Sequence, residues 1–160
     1  MAKVMNHDVL GELYYNNSWY KEIELNLFGN IQKLDLIIEG EEDAEFEEEQ
    51  VEAYKKFMKE KEKLVRSCEE EVYNYYQKVN VDYRERLGEQ FKDKLAPVIN
   101  TQDEINKLVY PKQILFPMVF GDMIREFGLL CECTWEEEHG LAVKYQNEEV
   151  VEVGYQDIII

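Results

Sequence analysis

The sequence predicts one α+β domain, in which strands from both ends of the chain form a single antiparallel sheet packed against one long helix. Three observations carry this. The first forty residues alternate apolar and polar side chains as half-buried strands do, and the last forty return to β patterning. Between them, from Val51 to Val79, the apolar positions recur at helical spacing. The 160 residues suffice for one core without a disulfide framework, and no repeat or low-complexity linker divides residues 1–160.

The elements follow in order. In WYKEIELNL, Trp19, Lys21, Ile23, Leu25 and Leu27 share one face, while Tyr20, Glu22, Glu24 and Asn26 share the other. VLGELYY is its partner across the turn Asn16, Asn17, Ser18, and Gly29 with Asn30 turns the chain into IQKLDLII, which completes a three-stranded meander. Val51, Tyr54, Met58, Val65, Cys68, Val72, Tyr76 and Val79 then predict a single helix over 47–79. Residues 80–100 predict one or two short helices broken at Gly88 and Pro97; Thr101 followed by Glu104 is a capping box, and 112–120 is strand or extended chain. Three closing strands follow in REFGLLCECTW, GLAVKYQ and EVVEVGYQDI.

Charge excludes several function classes. Against 18 basic side chains stand 35 acidic ones, a net of -17. Such a field repels nucleic acid and anionic lipid, and no basic patch offsets it. It would instead steer a basic protein partner. An odd count of three cysteines and a start without an apolar run point to a cytoplasmic protein with reduced thiols. The longest apolar run, ILFPMVF, is interrupted by Pro117 and falls far short of the ~18 residues of a membrane span.

The segment CECTWEEEHGLAV concentrates the residues that could do chemistry. Cys131, Cys133 and His139 are suitable zinc ligands, but an extended Cys-x-Cys separates its side chains by about 7 Å along the strand, a poor fit to one ion. The same separation excludes a Cys131–Cys133 disulfide. As an activated thiol the segment offers Cys133 as nucleophile, His139 as base and Glu138 as orienter. No phosphate-binding glycine loop, GxSxG or HExxH motif accompanies them, so neither an enzyme nor a cofactor is expected. The simpler expectation is turn chemistry: Gly140 at positive φ, solvated glutamates, His139 donating to a carbonyl or carboxylate, and Trp135 closing the core.

A second concentration lies earlier. Nine acidic residues fall between Glu39 and Glu52, more than one helical turn can use. Glu41, Glu42, Asp43, Glu45, Glu47, Glu48 and Glu49 are candidate partner contacts, with Tyr73 and Tyr75 as aromatic anchors that lose little entropy on binding.

The string GLLCECTWEEEHGLAVKY followed by EVVEVGYQDI resembles a signature of uncharacterised bacterial families of small acidic α+β proteins. The matching positions are Gly128, Cys131, Trp135, Glu138, His139, Gly140, Leu141, Val153, Gly154, Gln156 and Asp157. Proteins of this kind are counted among predicted immunity proteins of bacterial polymorphic toxin systems. The resemblance thus implies a small cytosolic protein that binds and blocks a toxin domain, with no catalytic residues to carry over. A metal- or thiol-dependent enzyme centred on Cys133, Glu138 and His139 and a housekeeping interaction protein are the alternatives.

Overall fold

The computed structural model describes residues 3–43 and 45–160. Eight strands form one sheet in chain order: β1 (Val4–His7), β2 (Gly11–Asn16), β3 (Ser18–Leu27), β4 (Asn30–Ile38), β5 (Val109–Phe116), β6 (Glu126–Cys133), β7 (Leu141–Gln146) and β8 (Glu149–Gly154). Both ends of the chain therefore enter one sheet, as the alternation predicts. Every neighbouring pair is antiparallel except β4 with β5, which run parallel. That seam is where the helical crossover re-enters the sheet, the connection that a parallel pair requires.

Four strands, not three, precede the helices. β1 is the addition, too short and too exposed on alternate residues to register as a strand pattern. The β3–β4 turn is made by Phe28 (φ 53) and Gly29 (φ 81) rather than by Gly29 and Asn30, since Leu27 faces Asn30. Phe28 tolerates the left-handed backbone because its ring is fully buried and its amide donates to Glu69 Oε2 at 2.8 Å.

The predicted single helix over 47–79 is two. α1 (Glu48–Lys59) ends at Glu60, whose backbone leaves the helical region, and α2 runs through Lys61–Leu95 with a kink at Gly88 (φ 75). Residues 80–87 continue the helix, Gly88 then breaks it as the sequence predicts, and the short helical segment that follows has ended before Pro97. Phe57, not Met58, turns inward in α1, and Met58 is exposed. Along α2 the buried positions Leu64, Cys68, Val72, Tyr76 and Asn80 fall every fourth residue. Such a stripe drifts by about 40° per step around a 3.6-residue helix, so the helix meets successive strands as it crosses the sheet.

One face of the sheet carries the main core: Trp19, Leu25 and Leu27 of β3, Leu34, Leu36 and Ile38 of β4, Phe116, Phe127, Leu129, Val143 and Tyr145 beneath the helices. Phe116, Phe127 and Tyr145 stack in series at centroid distances of 5.3 and 4.3 Å, each such pair stabilising by about 0.5–1.5 kcal/mol beyond its buried area. Lys21 also lies on this face, where its ammonium donates to Leu10 O and Tyr54 Oη, both at 2.6 Å. On the opposite face Leu115, Leu130 and Ala142 form a smaller cluster with Ile159. Ile159 follows a 3₁₀ turn at Gln156–Ile158, so the predicted last strand stops at Gly154, and Gln156 and Asp157 lie outside the sheet. Gly128 makes room for it: a Cβ there would stand 2.4 Å from Ile159 Cγ1.

Candidate functional site

The acidic segment after β4 bridges two parts of the molecule. It leaves the sheet with the Glu39 amide donating to Phe116 O at 3.0 Å, reaches β1, and returns to start α1. At β1, Lys3 Nζ lies 3.3 Å from Asp43 and 3.8 Å from Glu42. On the return, Phe46 packs edge-on to Trp19 and His7, at 6.5 and 5.8 Å between ring centroids. Trp19 Nε1 donates to Glu41 O at 3.2 Å. The carboxylates of this run therefore sit on a framed loop rather than on a free tail.

They divide into two kinds. Glu41, Glu42, Asp43, Glu45 and Glu48 are exposed. Glu47 is not simply a surface charge, as the sequence suggested. Its amide donates to Gln50 Oε1 at 3.0 Å in a capping box, and its carboxylate accepts from the backbone amides of Val119 and Phe120 at 2.5 and 2.9 Å. Glu39 accepts from the Met118 amide at 3.0 Å, and the buried Gln50 amide donates to Glu39 O and Phe116 O at 2.8 and 3.0 Å. Glu49 is half-buried. In these residues the acid organises a loop as well as contributing charge.

The loop they hold, residues 117–125, is the part of the site that sequence reasoning missed. The Asp122 amide donates to Val119 O at 3.1 Å, closing a turn with Phe120 (φ 51) and Gly121 (φ 84) at its centre, both in the left-handed region. Met123 (φ 59) follows in the same unusual conformation. A non-glycine residue held there costs about 1–2 kcal/mol, so the surroundings must enforce it. Glu39 and Glu47 do so on the entry side. On the exit side Arg125 grips Glu148 with two parallel bonds of 2.8 and 2.9 Å. What this framework displays is apolar: Phe120 is 79% and Met123 81% exposed. In the sequence the run ILFPMVF reads as strand or extended chain, and the only hints of display were Pro117 and the Gly121–Asp122 turn.

Tyr73 and Tyr75 do not join this surface. Tyr75 lies beside residues 150–153 of β8, the edge of the sheet opposite β1. Both are half-buried against the core; Tyr73 Oη accepts from Gln77 Nε2 at 2.8 Å, and burial raises the Tyr75 hydroxyl pKa.

The C-terminal signature forms a separate polar knot. Glu136 is its centre and, unlike the exposed Glu137 and Glu138, its side chain is only 12% exposed. It accepts from Tyr83 Oη at 3.0 Å and from the amides of Glu138 and His139, both at 3.2 Å, and His139 Nδ1 lies 3.3 Å away. Burial opposes ionisation of Glu136, but the His139 amide, the Tyr83 hydroxyl and the imidazole outweigh it and leave its pKa below the ordinary value. The His139 ring stacks on Tyr155 at 4.7 Å, and the Tyr155 hydroxyl lies 3.3 Å from Tyr83 Oη, which accepts from it while donating to Glu136. Trp135 is buried against Tyr76 at 4.7 Å. Gly140 (φ 65) has no space for a side chain, since a Cβ would stand 2.5 Å from Gln156 Nε2, which itself bonds Cys131 O at 2.8 Å. Gly154 closes β8 above Ile158, and Asp157 is exposed in the last turn.

The nucleophile arrangement that the sequence allowed is not assembled. The Cys133 thiol donates to Glu136 O at 3.6 Å rather than to His139, and His139 pairs with Glu136 rather than with Glu138. Burial pushes the Cys133 thiol pKa up to about 12, the opposite of an activated nucleophile. Cys131 and Cys68 are buried core residues, and all three thiols are free. Among the described residues no group of three His, Cys, Asp or Glu side chains is placed to hold a metal ion. No helix of the described residues is long and apolar enough to cross a membrane.

Comparison with known families agrees with the signature reading at its coarser level. A family described as a domain of unknown function, DUF6985, matches residues 9–160, which include the acidic segment, the displayed loop and the polar knot. The chain belongs to this family. Neither the curated proteins nor the solved structures contain a match to it. The family description brings no activity or partner, so the toxin-immunity connection rests on the resemblance of the C-terminal signature.

Proposed function

We propose that this chain is a protein-binding module without a reaction of its own, whose partner is a basic protein domain. The observation that carries this is the juxtaposition at the head of α1. Two highly exposed apolar side chains, Phe120 and Met123, stand on a left-handed turn pinned by Glu47, and Glu41, Glu42, Asp43, Glu45 and Glu48 lie on the segment that pins it. Exposed apolar anchors joined to a charged segment suit a binding patch, and backbone strain held by the surrounding structure is characteristic of functional loops. Complementary charge accelerates encounter by about 10–1000 fold at low salt and weakens as salt screens it.

The resemblance to predicted immunity proteins supplies the partner class: a toxin domain, with a nuclease fitting because its own ligand is a polyanion. The test is binding to the protein encoded by the neighbouring reading frame, measured at rising salt for the wild type, for Phe120→Ser with Met123→Ser, and for a variant with the five exposed carboxylates made amides. Both variants should weaken binding by at least about tenfold, and the second should flatten the salt dependence. A partner that binds all three alike would refute this assignment.

A further inference from the structure

β1 lies at one edge of the sheet, where no described residue pairs with its outer side. Because the Tyr15 amide donates to Lys3 O at 3.0 Å, and Val4 faces Tyr14, the antiparallel alternation commits Lys3, Met5 and His7 to β2. The N–H and C=O groups of Val4 and Asn6 therefore point away from the sheet. Exposed edges are normally blunted by proline, a bulge or a free inward lysine. β1 has no proline and no register shift, and its neighbouring Lys3 is already engaged by Glu42 and Asp43.

Beside this edge runs a groove of about 540 Å³ lined by Lys3, Met5, His7, Glu42, Asp43, Glu45 and Phe46. Its floor is apolar, and Phe46 is fixed between His7 and Trp19. Its wall carries three exposed carboxylates. The Lys3 ammonium resting against two of them shows what that wall accepts. Side chains of a strand added beyond β1 would point alternately toward this wall and away from it.

We infer that β1 is the docking edge for an extended basic segment of the partner, which pairs as an additional strand on Val4–His7 and places alternate lysine or arginine side chains against Glu42, Asp43 and Glu45. Main-chain bonds to Val4 and Asn6 supply register, and the carboxylates supply selectivity for cationic side chains. This rests on the reading of the chain as a binding module for a basic protein.

The probe is a fluorescent octapeptide alternating lysine and threonine, compared with the same peptide N-methylated at alternate amides. Fluorescence anisotropy should show the methylated peptide binding at least about tenfold more weakly. Asn6→Pro removes only an outward-facing N–H and should weaken the unmethylated peptide to the same degree with an unchanged melting temperature. Glu42→Gln with Asp43→Asn and Glu45→Gln should do likewise and flatten the salt dependence. Amide hydrogen exchange gives a readout independent of any variant: Val4 and Asn6 exchange freely in the isolated protein and become protected with peptide, whereas Met5 and His7 are protected throughout. Equal binding of both peptides, or unprotected Val4 and Asn6 at saturation, overturns the inference. If the full partner loses affinity for the Phe120 and carboxylate variants but binds Asn6→Pro at full strength, the edge contact fails while the binding-module reading survives.

Discussion

Replacing Glu47 with alanine tests the link between the acidic segment and the displayed loop, with the Val119 and Phe120 amides as the readout because the same change also removes the capping-box side chain of α1. The carboxylate accepts two backbone amides, Val119 and Phe120, at 2.5 and 2.9 Å. A hydrogen bond to a charged group contributes about 1.5–3 kcal/mol. Glu47 is only partly buried, so solvent screening sets each bond near the lower figure, about 3 kcal/mol for the pair. Freed from its anchor, Phe120 can leave the left-handed region and recover about 1 kcal/mol. The net loss is then about 2 kcal/mol, and for a chain of this size the melting temperature falls by about 4–8 °C. Glu48→Ala is the control, because it removes the same charge one residue along from an exposed side chain with no loop contact. Thermal unfolding of both variants, with hydrogen exchange at Val119 and Phe120, checks the reasoning. Equal melting temperatures for the two variants, with both amides still protected in Glu47→Ala, would refute the idea that this carboxylate holds the loop.

Three further outcomes are expected. Gly140→Ala combines a left-handed backbone at φ 65 with a Cβ placed 2.5 Å from Gln156 Nε2 and 2.9 Å from Cys131 O, and should lower stability by about 2–3 kcal/mol in denaturant titration, whereas Gly121→Ala, with open space around it, should cost no more than about 1–2 kcal/mol. Burial pushes the Cys68 and Cys133 thiol pKa values up to about 12 from an ordinary value of 9.0. A group raised on folding stabilises fully below its unfolded pKa and loses that contribution as pH climbs through its folded one. Stability should therefore fall from about pH 9 toward pH 12, by up to roughly 1.4 kcal/mol per pH unit for each thiol. Native protein at pH 8 should resist alkylation that proceeds at once after unfolding, and rapid native labelling of Cys133 would contradict its burial.

Local patterning made much of this architecture legible. Alternation in WYKEIELNL marks β3 because one face is buried and a period of two keeps it so, whereas GLAVKYQ marks β7 by a short apolar run that suits a strand covered on both faces. Thr101 and Glu104 announce their 3₁₀ turn for an equally local reason: the Glu104 carboxylate accepts from the Thr101 amide at 2.8 Å, three residues away. The positive φ at Gly140 and the burial of Trp135 also follow from their neighbours in the chain. Overall acidity required no structure at all.

Tertiary structure decided the rest, because the deciding partners lie far apart in sequence. The parallel seam of β4 with β5 depends on a crossover whose route no local period encodes. Glu47 becomes a loop anchor only when Val119 and Phe120 arrive from 72 and 73 residues away, and Glu136 becomes the centre of a knot only when α2 brings Tyr83 from 53 residues away. Phe120 ends an apolar run and Met123 follows it, and both are turned outward by a left-handed backbone that those distant carboxylates help to hold. Sequence periodicity reports which side of an element is buried; which acid binds a partner and which one holds the fold depends on the amides that folding brings to it.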